Sequence, residues 1–528
     1  IALGALLFGL ALFAAVALRW REQSASTPKP STPAIADAAA PASLAVLPFR
    51  SLTPGPQDEL MELGLADTLI TRISVLTTLR VRSLTSSQRL AGARQDPIDA
   101  GRQLGATYVV EGTFQRDGGN VRVGTRLLDT RDGTAVWSGT FDQRLDRVFT
   151  LQDRIASDMS SALALKLVAV PGRSPCDGAN AEAYRAYLTG RYQLDRPSGA
   201  RMRQALAAFQ QAIALDPSCA RAYAGTAYAY RALVITGDAD PRETFPLAKA
   251  AVGRALAIDP KLAEAYSSQG FIRFWYDWDW QGAEASFQRA IALNPSLAEA
   301  YSAYAHLLSD TGRKDEAARL ARQAIALDPL SPIISTLGSG FLAAAGHREE
   351  SQRSLQKALE LDPDFWVALL MRGGRKSAKR DYTGAIADLE RARSLCGACS
   401  QVLAVLGPTY VLAGNRSAAE QVLREMQSQD RDGYFPATSL AKVENALGNS
   451  DAALDLLERA YRERDVKMAF LKTDSGWKNL RSHPRFQALM QRMAFPATGH
   501  PVPLEEPGQR QRDGPGWPVE AGEDAGNG

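Results

Sequence analysis

The chain has 528 residues, of which 45% are hydrophobic and 23% charged, with a formal net charge of +3. That length suggests two to four domains, and the balance of apolar and charged residues excludes a wholly disordered chain. The small, diffuse charge gives no footprint for nucleic acid.

Residues 1–18, IALGALLFGLALFAAVAL, are all apolar or glycine, enough at 1.5 Å per residue to span a hydrocarbon core. Arg19, Trp20 and Arg21 follow as an interfacial aromatic between two anchors. The expectation is a retained transmembrane helix over 1–21; the rival reading is a signal-peptide core with a poor cleavage site at 24–26. The first residue is Ile, which points to a further segment upstream. Residues 22–42 are rich in Pro, Ala and Ser without apolar period and read as a linker.

Residues 43–168 read as a compact α/β domain with a mixed sheet. LAVLPF (44–49) is a short apolar strand, and 58–76 form a helix with Leu65, Leu69, Ile73 and Leu76 on one stripe. LRVRS (79–83) is a second strand and 97–105 a short helix ended by Gly105. Three further strands are joined by DGGN and DTRDG, both hairpin chemistry. On the middle strand Val121, Val123, Thr125 and Leu127 point one way and Arg122 and Arg126 the other. A last helix carries Val148, Leu151, Ile155, Met159 and Ala162 on one face.

From 176 to 465 the chain repeats itself. AIALDP (212–217) returns as ALAIDP, AIALNP, AIALDP and ALELDP, so that Pro217, Pro260, Pro295, Pro329 and Pro363 are 43, 35, 34 and 34 residues apart. Thirty-four is the tetratricopeptide (TPR) period. Ala205, Phe209 and Ala212 recur as Ala283, Phe287 and Ala290, the small–large–small positions where two helices of a hairpin cross closely. Weaker copies continue to Ala453, Leu457 and Ala460, giving about eight helical hairpins that stack into an all-α solenoid with a concave groove. Residues 466–493 supply a capping helix, with Phe486, Leu489, Met490 and Met493 inward, and 494–528 read as a disordered tail.

The stretch FWYDWDW (274–280) falls in the elbow of one repeat. There Asp279 is placed to cap the next helix, while Trp278 and Trp280 pack into the seam with the next hairpin. At 35 residues the repeat is one longer than the TPR period, and the second aspartate, Asp277, stays solvated. The alternative is an exposed aromatic patch that docks a partner.

No catalytic constellation is present: the four histidines have no metal spacing, and no phosphate loop, dinucleotide fingerprint or nucleophile elbow occurs. The expectation is a non-enzyme with no cofactor, no metal site and no small-molecule substrate. CGAC at 396–399 replaces the Asp-Pro elbow of a repeat and reads as two thiols or a local disulfide. Cys176 and Cys219 flank the first hairpin on the same side, which predicts a disulfide if the domain is exported. Repeat phase places Arg221, Tyr228, Arg231, Phe271, Phe274 and His306 along the groove. Arginine beside aromatics suits an extended peptide or acidic terminus; the alternative is packing against a neighbouring hairpin or the α/β domain.

LAVLPF, GLADTLITRIS, LGATYVVEGTFQRDGGNVRVGTRLLDTRDGTAVWSGTFD and FTLQDRIA resemble the TolB-like domain that precedes TPRs in CadC-type bacterial membrane regulators, and YDWDWQGAEASFQRAIALNP and LRSHPRFQALMQRM are similar to the same family. The resemblance covers residues 44 to about 493. It implies a signalling chain in which an upstream domain, commonly a winged-helix DNA-binding domain and in some relatives a kinase or cyclase, gives the output. DNA would then be met only through that domain. It also implies a single-pass inner-membrane protein with its soluble part in the periplasm; Arg19 and Arg21 hint at the cytoplasmic side instead. A passive assembly scaffold of the cell envelope is the competing reading.

Overall fold

The computed structural model describes residues 42–53, 58–74, 79–90, 95–144, 148–162, 181–194, 198–236, 239–397 and 399–496. A small sheet domain comes first. Strands β1 (Ser43–Val46), β2 (Arg50–Ser51), β3 (Arg80–Val81), β4 (Tyr108–Asp117), β5 (Asn120–Asp129) and β6 (Ala135–Arg144) are accompanied by α1 (Asp58–Ser74), α2 (Leu84–Gln88), α3 (Pro97–Gln103) and α4 (Val148–Ala162). The strand order is β3-β1-β4-β5-β6, with β2 also on β4. β1 lies parallel to β3 and β4, and β4, β5 and β6 form an antiparallel meander. Val121, Val123 and Leu127 of β5 meet Leu65, Leu69 and Ile73 of α1 and Leu151, Ile155 and Met159 of α4 in one core. Gly112 of β4 lies under the Phe49 ring, where a Cβ would stand 2.1 Å from the nearest ring carbon.

Eight antiparallel helical hairpins follow among the described residues: α5 (Ala181–Gln193) with α6 (Gly199–Leu215), α7 (Ala220–Thr236) with α8 (Pro241–Ile258), α9 (Ala263–Ile272) with α10 (Trp280–Leu293), α11 (Ala298–Thr311) with α12 (Lys314–Leu327), α13 (Pro332–Ala344) with α14 (Arg348–Leu361), α15 (Trp366–Ala378) with α16 (Tyr382–Cys396), α17 (Ser400–Leu412) with α18 (Arg416–Asp432), and α19 (Ala437–Ala446) with α20 (Ser450–Arg462). Close crossing explains their composition. The fully buried Phe209 ring is wedged between Gly190 of α5 and Gly225 of α7, and a Cβ on either glycine would come within 2.6 Å of it. Phe287 stands in the same relation to Gly270, at 2.4 Å.

The repeated Asp/Asn-Pro phrase is a helix stop. The cap residue bonds its own N–H back to the helix, as Asp216 does to the Ala212 carbonyl. Its side chain then accepts the amide two residues on: Ser218 N on Asp216 at 2.9 Å, Lys261 N on Asp259 at 2.9 Å, Ser296 N on Asn294 at 3.0 Å. Proline beside it cannot extend the helix. After α16 a Cys396–Cys399 disulfide takes over this elbow. Gly397 is left-handed, and the Cys399 amide donates to Cys396 Sγ at 3.2 Å. Cys219 is buried and disulfide-bonded; Cys176, its expected partner, lies outside the described residues.

The array curls until its later repeats meet its earlier ones. Gln401 Nε2, at the start of α17, donates to the Ile235 carbonyl at the end of α7, at 2.7 Å. Beyond α20, two 3₁₀ turns (Val466–Phe470 and Ser475–Trp477) and α21 (Pro484–Arg492) fold back over the third and fourth hairpins. Phe486, Leu489 and Met493 are buried there, and Met490 packs against the same cluster. Composition starts the disordered tail at 494, but Phe495 stacks on Trp280, with ring centroids 4.8 Å apart. Residues from 497 on lie outside the described part.

The fold class expected from the sequence needs one correction. The described chain is a mostly helical TPR-type solenoid with a small sheet domain, and no helix among the described residues is long and apolar enough to cross a membrane. The longest, α8, has 18 residues and carries Arg242, Glu243, Lys249 and Arg254. The stretch read as a membrane helix, residues 1–21, lies outside the described residues.

Replacing Phe209 by Ala should destabilise the first two hairpins by about 3–5 kcal/mol, seen as an earlier urea transition; Gly225→Val, which drives a side chain into the same ring, should act in the same direction.

Candidate functional site: the concave face of the array

The concave face carries the sheet domain. α1 has two buried faces: Leu65, Leu69 and Ile73 go to the sheet, and Gly64, Asp67, Thr68 and Thr71, spaced i, i+3, i+4 and i+7, go to the first two hairpins. Gly64 is where the helices come closest, since a Cβ there would lie 2.9 Å from Leu188 and 3.1 Å from Tyr184. The Tyr184 hydroxyl donates to the Gly64 carbonyl at 2.9 Å and lies 2.9 Å from Thr68 Oγ1. Arg221 Nη1 donates to Thr71 Oγ1 at 2.7 Å. Asp67, 3% exposed in its side chain, lies 3.6 Å from Arg191 and 3.8 Å from Arg221.

A second contact runs along the repeat elbows. Arg80 donates to the Pro295 carbonyl at 3.0 Å and the Val81 amide to Ser296 Oγ at 3.0 Å. Arg82 donates to the Ala326 carbonyl, and Ser86 donates to Asp328 while accepting the Leu330 amide at 2.9 Å. Leu330 enters a cluster with Ala45, Leu104, Val109 and Leu128 of the sheet domain. In this elbow the aspartate serves the neighbouring domain. The helix α2 that carries Ser86 is capped by Ser83, whose side chain accepts the Ser86 amide.

Burial shapes the titration of this contact. Desolvation pushes the Tyr184 phenol well above its ordinary range, with nearby Asp67 adding to it, and pushes Tyr187 in the same direction. Burial alone would lower Arg221, but Glu264, Tyr187 and Asp67 outweigh it and hold the guanidinium charged. Arg82 is lowered by its burial, against Asp328.

The six groove residues named from repeat phase divide in two. Arg221 and Tyr228 face the sheet domain across a cavity. Arg231 is sandwiched between the Tyr228 and Phe271 rings, 4.2 and 4.1 Å from their centroids, and is paired with Glu299. Phe271 packs edge-on against Phe287. Phe274 is fully buried, and His306 stacks on Phe470 at 5.2 Å with Nε2 3.2 Å from Asp310. These four therefore form interior packing, the last two under the returning C-terminal segment.

The aromatic elbow is structural, with different partners from those expected. Its additional residue is taken up as a π-turn over Arg273–Asp277, and Trp278 is left-handed at φ 58°. Asp279 accepts the Gly282 amide at 2.9 Å as an N-cap. Asp277 is paired with Lys249 at 2.5 Å, and so is engaged. Trp278 packs on Tyr461 under Arg464, and Trp280 Nε1 donates to the Met493 carbonyl at 3.1 Å. Both tryptophans thus clasp the C-terminal segment. Contacts about 200 residues apart leave no local signal, and the small polar stripe of α1 leaves none either, since in the sequence it is the ordinary solvated face of an amphipathic helix; only its burial shows a second partner. Among the described residues, no three metal-ligating side chains converge.

Residues 40–158 match the second domain of HilA/YgeH-like transcriptional regulators, and residues 298–329 match the tetratricopeptide repeat. The chain therefore joins a regulator-type domain to a TPR array. The TolB-like and CadC-type labels find no separate support in these matches. A putative adenylate cyclase 3 from Rhizobium meliloti (strain 1021) is 27% identical over 202 residues, 38% of this chain and 33% of the relative. The chain thus spans a third of that curated relative. Among solved structures, the APC/C hetero-tetramer Cut9-Hcn1 is 15% identical with a TM-score of 0.42, over 65% of this chain and 59% of that one. The type IV pilus biogenesis factor PilW is 23% identical with a TM-score of 0.31, over 43% and 98%. At these scores neither bears on function.

The Tyr184 phenol gives a pH test. Its folded pKa is raised, so its contribution is intact below the ordinary phenol value near 10 and is lost as pH rises past it. Tyr184→Phe should cost about 1 kcal/mol at pH 7 and show a shallower loss of stability above pH 10, measured by urea titration across pH. Trp280→Ala should free the C-terminal segment, seen as faster hydrogen exchange over 466–495 with little change in the first hairpin.

Proposed function

We propose that this chain is the partner-binding part of a transcriptional regulator, in which docking of the sheet domain on the array is the element that a partner biases. The observation that carries this reading is the regulator-type domain seated in the concave face of the TPR array, where it covers Arg221 and Tyr228. A protein or peptide signal that engages that face must compete with α1. It can shift the docked state only by its difference in affinity for the two arrangements. The resemblance to CadC-type regulators supports an output through a winged-helix DNA-binding domain encoded upstream. The Cys396–Cys399 bridge supports an oxidising compartment, such as the periplasm, for the described part.

Two measurements test this. The reading frame upstream of Ile1 should encode a winged-helix pattern of about 100 residues; a catalytic domain or a nearby start codon in its place would remove the regulator reading. Gly64→Leu should undock the sheet domain, raising the radius of gyration in solution scattering and exposing α1 to exchange; an unchanged radius would show that docking is not the adjustable element. For the compartment, protein taken from cells under acid quench should leave Cys396 and Cys399 unreactive to alkylation until it is reduced.

A further inference from the structure

Docking leaves part of the concave face hollow. A chamber of about 220 Å³ lies between α1 and the β3–α2 segment on one side and the inner helices of the first five hairpins on the other. It is below the roughly 300–1,000 Å³ of sites for drug-sized ligands, which is too little for an extended peptide. Seven charged side chains line the chamber: Asp67, Glu264, Glu299 and Asp328, with Arg82, Arg191 and Arg221. Glu299 is paired with Arg231, Asp328 accepts from Ser86, and Arg82 donates to the Ala326 and Gly105 carbonyls; that leaves Asp67 and Glu264 against Arg191 and Arg221. Asp67 is almost fully buried, yet its Oδ2 has no hydrogen-bond donor, and both arginines stand back at ion-pair distance. Buried carboxylate oxygens are normally satisfied, so this one is placed for a donor that enters the chamber. Ile70, Leu194 and Ile334 line the remainder.

We propose that the chamber binds a small zwitterion, an α-amino acid with an apolar side chain, its ammonium on Asp67 and Glu264 and its carboxylate on Arg191 and Arg221. With Glu299, Asp328 and Arg82 engaged by their own partners, the two acids and two bases that remain cancel, so a ligand of net charge would leave one of them uncompensated, whereas a zwitterion meets all four. The apolar residues take its side chain. Because α1 supplies Asp67 and the array supplies the other three, the ligand touches both bodies and favours the docked arrangement. Its regulatory sense rests on the function proposed above; the binding itself does not.

The test is calorimetric titration of the full chain with L-leucine, and with L-lysine, L-glutamate, 1,4-diaminobutane and acetate as comparators. Saturable binding of L-leucine is expected, with slower hydrogen exchange over 58–74 when it is bound. Asp67→Asn should weaken it at least tenfold. Should that variant fail to fold, Glu264→Gln, which lies on the array and is only half-buried, carries the same expectation. No saturable heat up to about 10 mM overturns the proposal. So does binding of the diamine, of lysine, of glutamate or of acetate as tight as that of leucine, and so does leucine binding indifferent to both variants. None of these results alters the reading of the upstream frame, so the two proposals fail separately.

Discussion

The helix from Asp58 to Ser74 has to bury two faces at once, and the arrangement of the whole chain follows from that. One face is aliphatic and belongs to the sheet. The other is a row of small and polar groups, and it can leave water only if its hydroxyls and its carboxylate find partners. Tyr184 and Arg221 of the first two hairpins meet the Thr68 and Thr71 hydroxyls, and Arg191 and Arg221 face the Asp67 carboxylate at ion-pair distance, one of its oxygens still without a donor. The sheet domain and the array therefore form one packed body, with the repeat elbows at Pro295 and Asp328 fixing the angle between them.

How much of this was legible in the sequence varies with range. The close helix crossings were, because Phe209 and Phe287 need small neighbours at fixed spacing and those spacings recur. The Asp279 cap was legible because capping is a matter of three residues. The sites of Arg231, Phe274 and His306 were not. Repeat phase says that a side chain points to the concave side, but not that another part of the chain lies there. Phe470 reaches His306 from 164 positions away, a contact that no periodicity encodes. The carboxylate of Asp277 read as solvated because its partner, Lys249, sits on the preceding hairpin.

A concave groove in a TPR array is usually the first place to look for a ligand. In this chain its aromatic part is spent on internal packing and its basic part faces the sheet domain. What remains open to recognition is either the hollow left beside α1 or the surface uncovered when α1 lifts. The two are linked: whatever fills the first opposes the second.

The return of the C-terminal segment to Trp278 and Trp280, and of Gln401 to Ile235, has an effect on how this gene can vary. An open solenoid gains or loses a hairpin at either end with little penalty. A solenoid clasped to itself cannot, because one unit more or fewer between Trp280 and Phe495 would carry the clasp past its mate. The number of repeats in this chain is therefore set by geometry, and duplication within the array should be lethal to the fold where substitution is tolerated.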